Sequence, residues 1–219
     1  MVTLLWDLDG TLIDSMPVIG SCLNRTVQAY GEPALSDDEI RPLVGPELSL
    51  TLQKLIPEGK RVDVAEAKAM YRRFYRETMC SSPVFDGLVE VVDHFRSLGM
   101  NQFVATAKYQ ALAQEIIDAG PLQSRFTAVY GSEENGRLGN KVELLAHIHQ
   151  QEGFEPANTL MIGDTVFDME AARANNLTAI AVNWGYGDAE ALRQAGAHFL
   201  VDSPAQLKDV IRTALDCGC

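Results

Sequence analysis

Cysteine, basic charge and long apolar runs are all scarce in this 219-residue chain, and each scarcity removes a class of explanation. The four cysteines, Cys22, Cys80, Cys217 and Cys219, include no CxxC pair, so neither a zinc site nor a disulfide framework is expected. Thiols without that spacing suit a reducing compartment, and the expectation is a cytoplasmic protein. Lysine and arginine total 18 against 30 aspartates and glutamates, a formal net charge of −12. Nucleic acid and anionic membrane surfaces are poor partners for such a chain. No apolar run approaches membrane-spanning length, and Asp7 and Asp9 interrupt the N-terminal one, so neither a span nor a secretory leader is expected. What remains is an ordinary globular composition, 47% hydrophobic and 22% charged, enough for one large domain or a core with a modest insertion.

Strand patterning is also missing, but only from residues 15–82. There Ser15 and Pro17 open a helix carrying Val18, Cys22, Leu23, Val27 and Tyr30, which Gly31-Glu32-Pro33 ends. Ser36 to Glu39 reads as a capping box. A helix over Pro46–Ile56 is broken by Pro57-Glu58-Gly59, and Val62–Met79 forms a longer one with Met70, Phe74 and Met79 as its expected core. The segment is predicted to be all helical.

From Val84 onward short apolar runs alternate with helical patterns. Strands are predicted at 102–105, 128–130, 159–162, 178–182 and 198–201, each followed by a helix. With the opening run Leu4-Leu5-Trp6, this alternation predicts an α/β fold, a Rossmann-like doubly wound parallel sheet with helices on both faces. Residues 1–14 and 83–219 would form that core, and 15–82 an inserted helical cap.

Ligands of such sheets bind beyond the carboxyl ends of the strands, and that is where the reactive side chains fall. Asp7 and Asp9 follow the first strand. If pairing extends to Asp9, the two share one face, because strand side chains repeat every second residue. Thr106 ends the second strand, where its hydroxyl and the Ala107 N–H can meet a phosphate oxygen; a helix N-cap is the alternative. Lys141 opens the helix after Val129, a place where a lysine opposes the helix dipole. Gly163-Asp164 leaves another strand, and Asp168 lies one helical turn further on. Gly10 and Thr11 read as a flexible exit toward the insertion.

Carboxylates without nearby histidine or cysteine suit a hard, oxygen-preferring cation, so Mg²⁺ is expected, with Asp7, Asp9, Asp164 and Asp168 as candidate metal residues. The set describes phosphoryl transfer through a carboxylate nucleophile. Asp7 attacks phosphorus, Lys141 and Thr106 neutralise charge, and Asp9 handles protons.

Asp7-Leu8-Asp9-Gly10-Thr11-Leu12, Thr106, Lys141 and Gly163-Asp164 through Asp168, in that order, resemble the four motifs of the haloacid dehalogenase-like superfamily. The likeness covers essentially the whole chain. It implies Mg²⁺ held by Asp7, the main-chain carbonyl of Asp9 and Asp164, with Asp168 in support. An aspartate at position 9 disfavours a dehalogenase. Val182-Asn183-Trp184-Gly185-Tyr186-Gly187, Gly131 to Arg137 and Val201 to Pro204 are similar to the phosphoglycolate phosphatase-like branch. Arg41 to Pro46 resembles its substrate-facing cap loop, with Arg41 a candidate for a substrate carboxylate or phosphate. The resemblance implies a phosphomonoesterase acting on a small phosphorylated metabolite such as phosphoglycolate. A 5'-nucleotidase-type phosphatase and a β-phosphoglucomutase-like mutase are alternatives; a phosphate-binding module without chemistry would lack one of these residues, and none is lacking.

Overall fold

Apolar runs of three to five residues are too short to bury a helix, and here they pair into a sheet covered on both faces. The computed structural model describes residues 2–46, 48–56 and 63–216. Its strands are β1 (Thr3–Trp6), β2 (Asn101–Tyr109), β3 (Ala128–Ser132), β4 (Thr159–Gly163), β5 (Thr178–Val182) and β6 (Phe199–Val201). They lie in the order β3-β2-β1-β4-β5-β6, every pair parallel. This is the doubly wound arrangement, and its order reverses between β1 and β4. Trp6 sits opposite both Val104 and Ile162, so β1 occupies the centre of the sheet.

Burial on both sides explains why the strands read as unbroken apolar runs. Leu4, Trp6, Val104, Ile162 and Val182 face one hydrophobic layer, whereas Leu5, Phe103, Met161, Ala179 and Ala181 face the other. The crossover helices are α5 (Leu88–Ser97), α6 (Gln110–Ala119), α7 (Lys141–Glu152), α8 (Val166–Ala174) and α9 (Ala189–Ala195), and α10 (Pro204–Asp216) follows the last strand. Among the described residues, no helix is long and apolar enough to cross a membrane.

Between β1 and α5 the described residues contain helices and turns without a ladder strand: α1 (Met16–Ala29), α2 (Asp37–Ile40), α3 (Leu48–Leu55) and α4 (Val64–Thr78). The Ser36 N–H donates to Glu39 Oε2 at 2.8 Å, as the capping box requires. The buried face of α4 differs from expectation. Ala67, Tyr71 and Tyr75 are its buried residues, with Met79 just beyond; Met70 and Phe74 are only partly covered. Aromatic hydroxyls make these tyrosines look polar in sequence, although their rings carry the apolar area. The breaker at Pro57-Glu58-Gly59 and the Cys217/Cys219 tail lie outside the described residues.

Two further expectations change. Strand pairing does not reach Asp9: β1 ends at Trp6, the Asp7 N–H still bonds the Ile162 carbonyl at 2.9 Å, and the chain then turns. Leu8 C=O accepts from the amides of Leu12 and Ile13, at 2.9 and 3.0 Å, which closes that turn. β2, in turn, does not stop at Thr106 but resumes pairing at Tyr109 after an irregularity in register.

Candidate active site

The turn after β1 is what makes the site. Gly10 has φ +83°, and a Cβ there would stand 2.2 Å from Asp164 Oδ2, so no other residue fits without displacement. Thr11 is fully buried and donates its hydroxyl to Asp164 Oδ1 at 2.9 Å. Gly10 and Thr11 are therefore a held turn rather than a flexible exit, since both are fixed against the end of β4.

Asp7, Asp164 and Asp168 are buried and each offers a carboxylate oxygen within 4.8 Å of the others. Asp164 Oδ2 also accepts from the Tyr186 N–H at 2.9 Å. Asp168 opens α8 in a capping box with Thr165, whose N–H and hydroxyl both donate to its Oδ2 at 3.0 and 2.7 Å. Its other oxygen accepts from Lys141 Nζ. With both oxygens engaged by protein donors, Asp168 supports the cluster and orients the lysine. One carboxylate thus serves the helix start through Oδ2 and the site through Oδ1.

Lys141 Nζ lies 2.7 Å from Asp7 Oδ1, with the side chain only 6% exposed. Asn140 caps α7 by accepting from Val142 N–H, which frees the lysine at the first helical position to turn inward. Burial and the charges of Asp168 and Asp9 raise Asp7 from its ordinary value of 3.8 to about 7, against the opposing pull of Lys141. Burial, then Asp7 and Asp168, push Asp164 well above the carboxylate range. Fully ionised, the three buried carboxylates beside one buried ammonium would carry an excess of two negative charges, and without a cation Asp7 and Asp164 hold protons more tightly instead. The anionic surplus has the magnitude of one divalent cation. No histidine or cysteine lines the surrounding cavity among the described residues, so the donor set fits a hard ion.

Asp9 arrives by the turn rather than by strand alternation, and it stands apart from the three-carboxylate cluster. Its Oδ2 pairs with Lys108 Nζ at 2.8 Å, while Oδ1 is buried without a partner. The Thr106 hydroxyl accepts from the Lys108 N–H at 3.2 Å, which leaves its own proton available to a ligand. The N-cap position of α6 belongs to Tyr109, so the capping alternative for Thr106 does not hold.

Asp7, Asp9, Thr106, Ala107 and Lys141 line one cavity of about 630 Å³ between the strand ends and the helical segment. Arg41 is exposed and does not line it; Leu43, Val44, Gly45 and Pro46 of the same loop do. Arg41 opens a short 3-10 turn (Arg41–Leu43) that has no buried residue. The basic side chains that reach the cavity from the helical segment are Lys54, Lys68 and Arg72.

Lys108 escaped assignment from sequence because it sits in the irregular end of β2. Its Nζ donates to Tyr75 Oη at 2.9 Å, so it joins α4 to Asp9. Trp184 packs edge-on to Phe85, at 6.5 Å between centroids, and donates to the Thr11 carbonyl at 3.1 Å. It is a packing residue. Tyr186 gave no chemical signal beyond the glycines that flank it.

A family model described as haloacid dehalogenase-like hydrolase matches residues 4–182. Tyrosine-protein kinase PtkA of Mycobacterium tuberculosis is 30% identical, over 96% of this chain and 71% of its own. A 5'-nucleotidase of Pseudomonas aeruginosa is 31% identical, covering 96% of this chain and 95% of its own. For a phosphoglycolate phosphatase of Chromobacterium violaceum the values are 30%, 94% and 95%. The crystal structure of a predicted phosphatase from Clostridium acetobutylicum superposes with a TM-score of 0.86 at 27% identity, covering 97% of this chain and 98% of that one. With four motif positions converging at the strand ends and a family match over most of its length, the chain belongs to the haloacid dehalogenase-like hydrolases and groups with their phosphatases.

Proposed function

We propose that the protein is a Mg²⁺-dependent phosphomonoesterase that works through an aspartyl phosphate on Asp7. The observation that carries this reading is the buried Asp7 carboxylate held at 2.7 Å by Lys141 in a cavity that Thr106 and Asp9 also line. Residues 15–82 serve as the cap and 1–14 with 83–219 as the core. The lack of a ladder strand among the described residues of the first and the cavity between the two support that division.

A divalent cation near Asp7, the Asp9 main-chain carbonyl and Asp164 would supply electrostatic stabilisation of the phosphoryl oxygens. The remaining steps belong to the chain. Thr106, Ala107 N–H and Lys141 orient the phosphoryl group so that an Asp7 oxygen attacks phosphorus in line with the ester oxygen. As the P–O bond to the leaving group breaks, Asp9 gives that oxygen a proton. Asp9 then takes a proton from the water that attacks the aspartyl phosphate, which restores Asp7 and releases inorganic phosphate.

The helical segment lines the cavity with Lys54, Lys68 and Arg72 and with no carboxylate among the described residues. In a chain of net charge −12 that bias favours a leaving group with a second anionic group. Phosphoglycolate, whose leaving group carries a carboxylate, meets the condition, whereas a nucleoside monophosphate leaves as a neutral nucleoside; of the activities named for the two full-length relatives, the charge bias favours the first. A panel of small phosphate esters assayed for phosphate release tests the reading. With Mg²⁺ the expected outcome is turnover, fastest on esters that carry a second anion. Isomerisation or transfer to another acceptor without phosphate release would point to a mutase or a kinase. With Ca²⁺ as sole metal turnover should fall sharply, because its larger shell accepts both Asp7 oxygens and occupies the nucleophile. Undiminished rates with Ca²⁺ would contradict that role for Asp7.

The metal also has a stability signature. Asp7 titrates near 7 when folded and near 3.8 when unfolded, so the metal-free native state binds the extra proton between those values. Its stability should therefore fall as pH rises through that window. A cation competes with the proton, so Mg²⁺ should raise Tm more at about pH 8 than at about pH 5. Scanning calorimetry with and without chelator measures this; an equal gain at both values would contradict it.

A further inference from the structure

One loop touches both the carboxylate cluster and the entrance to the helical segment. After β5 the chain runs Asn183-Trp184-Gly185-Tyr186-Gly187. At Gly185 a Cβ would stand 2.3 Å from Asp164 Cβ, and at Gly187 it would stand 2.0 Å from the Asp164 carbonyl. The loop is thereby seated directly on Asp164, and the Tyr186 N–H bonds its Oδ2. The Tyr186 side chain points the other way. Its hydroxyl accepts from the Ser15 N–H at 2.8 Å and the Met16 N–H at 2.9 Å, and donates to Asp14 Oδ1 at 3.1 Å.

Those two amides are at the start of α1. Ser15 holds the N-cap position but makes no side-chain cap, and its hydroxyl is buried without a partner. Tyr186 thus does from 170 positions away what the cap residue leaves undone. The strand-like connections into and out of the helical segment meet here too: Asp14 N–H bonds the Pro83 carbonyl at 2.9 Å, and Ile13 bridges Val84.

We propose that Tyr186 is a positioning residue that fixes the hinge of the helical segment, at Asp14 to Met16, relative to Asp164. The inference rests on the phosphatase reading above, in which that segment closes over the substrate. A hydroxyl with three partners sets the direction in which α1 leaves the core. The same residue's backbone sets Asp164, so cap position and catalytic carboxylate share one rigid support.

Tyr186→Phe separates these duties, since it keeps the N–H on Asp164 and removes only the hydroxyl. Left without their acceptor, the two amides lower the share of molecules with a competent cap, which taxes substrate binding. KM should rise about tenfold, while kcat stays within about threefold and Mg²⁺ affinity by calorimetry within about twofold. Amide exchange at Ser15 and Met16 should quicken about tenfold, with β4 amides unchanged. Asp14→Ala, which removes only the acceptor of the hydroxyl proton, should raise KM about threefold in the same direction. An unchanged KM in Tyr186→Phe with merely a lower Tm would make the hydroxyl a structural prop and overturn the proposal. A parallel loss of Mg²⁺ affinity would overturn it as well, because the residue would then act through Asp164. If the wild-type protein releases no phosphate, the phosphatase reading fails instead, and unaltered exchange at Ser15 and Met16 would refute the hinge contact without any turnover.

Discussion

Asp7→Asn is expected to lose about 10⁴- to 10⁶-fold in turnover, the loss typical of removing a nucleophile that acts with its partners as one unit. An amide oxygen is too poor a nucleophile to attack phosphorus, and nothing else at the strand ends can replace it. Asp9 is the nearest candidate in sequence, but it is tied to Lys108 and sits outside the three-carboxylate cluster. The fold should survive the change. Asp7 is buried beside two other carboxylates, and its raised titration point means that ionisation there costs the folded state free energy. A neutral amide of the same shape removes that cost, while Lys141 keeps Asp168 as partner. Tm of the metal-free variant should accordingly match or exceed that of the wild type at about pH 8. Phosphate release and thermal melts on the same preparation check both halves. Residual turnover near the wild-type rate, or a collapsed Tm, would each contradict the assignment.

Lys141→Met should damage both stability and activity. The ammonium is the single buried cation facing Asp7 and Asp168 among the described residues, and removing one partner of a buried ion set leaves the others uncompensated. Such losses run to about 3–5 kcal/mol. Attraction to Asp168 and Asp7 raises the lysine above its ordinary value of 10.5, despite burial. Because the folded value is the higher one, the contribution is fully present below about pH 10 and is lost only as pH rises from there through the folded value. The penalty in the variant should be greater at about pH 8 than at about pH 5, where Asp7 takes up a proton instead. Added Mg²⁺ should restore part of the stability by replacing the missing charge. Activity should fall about 10²- to 10³-fold, as for loss of one preorganised group at a developing charge. Denaturant titrations at both pH values give the stability terms; a loss independent of pH would contradict the charge argument.

The sheet was readable in the sequence for a physical reason. Its strands are buried on both faces, so each appears as an apolar run, and their carboxyl ends are the places where a carboxylate or a threonine interrupts the run. β5 occupies the residues expected from pattern alone, and a helix follows each of the expected strands. What failed to show were features made by turns and by contacts remote in sequence. Asp9 reaches the cavity through the Leu8–Ile13 turn, whose bonds no alternation rule describes. Arg41 looked suited to a substrate anion because its loop did, yet only the loop's later residues turn inward. Tyr71 and Tyr75 take the buried face of α4 expected of Met70 and Phe74, and Tyr75 meets Lys108 from a segment remote in sequence. Tyr186 is the clearest case, since its four hydrogen-bond partners lie in two segments more than 20 positions away.

The central claim, covalent transfer to Asp7, is tested most directly by mass spectrometry of protein quenched in acid during turnover with Mg²⁺. The expected result is one phosphoryl group on the peptide that contains Asp7, absent from Asp7→Asn and persisting longer when Asp9 is changed to asparagine. Phosphate release at full rate with Asp7 unmodified, or with the group on another residue, would contradict it.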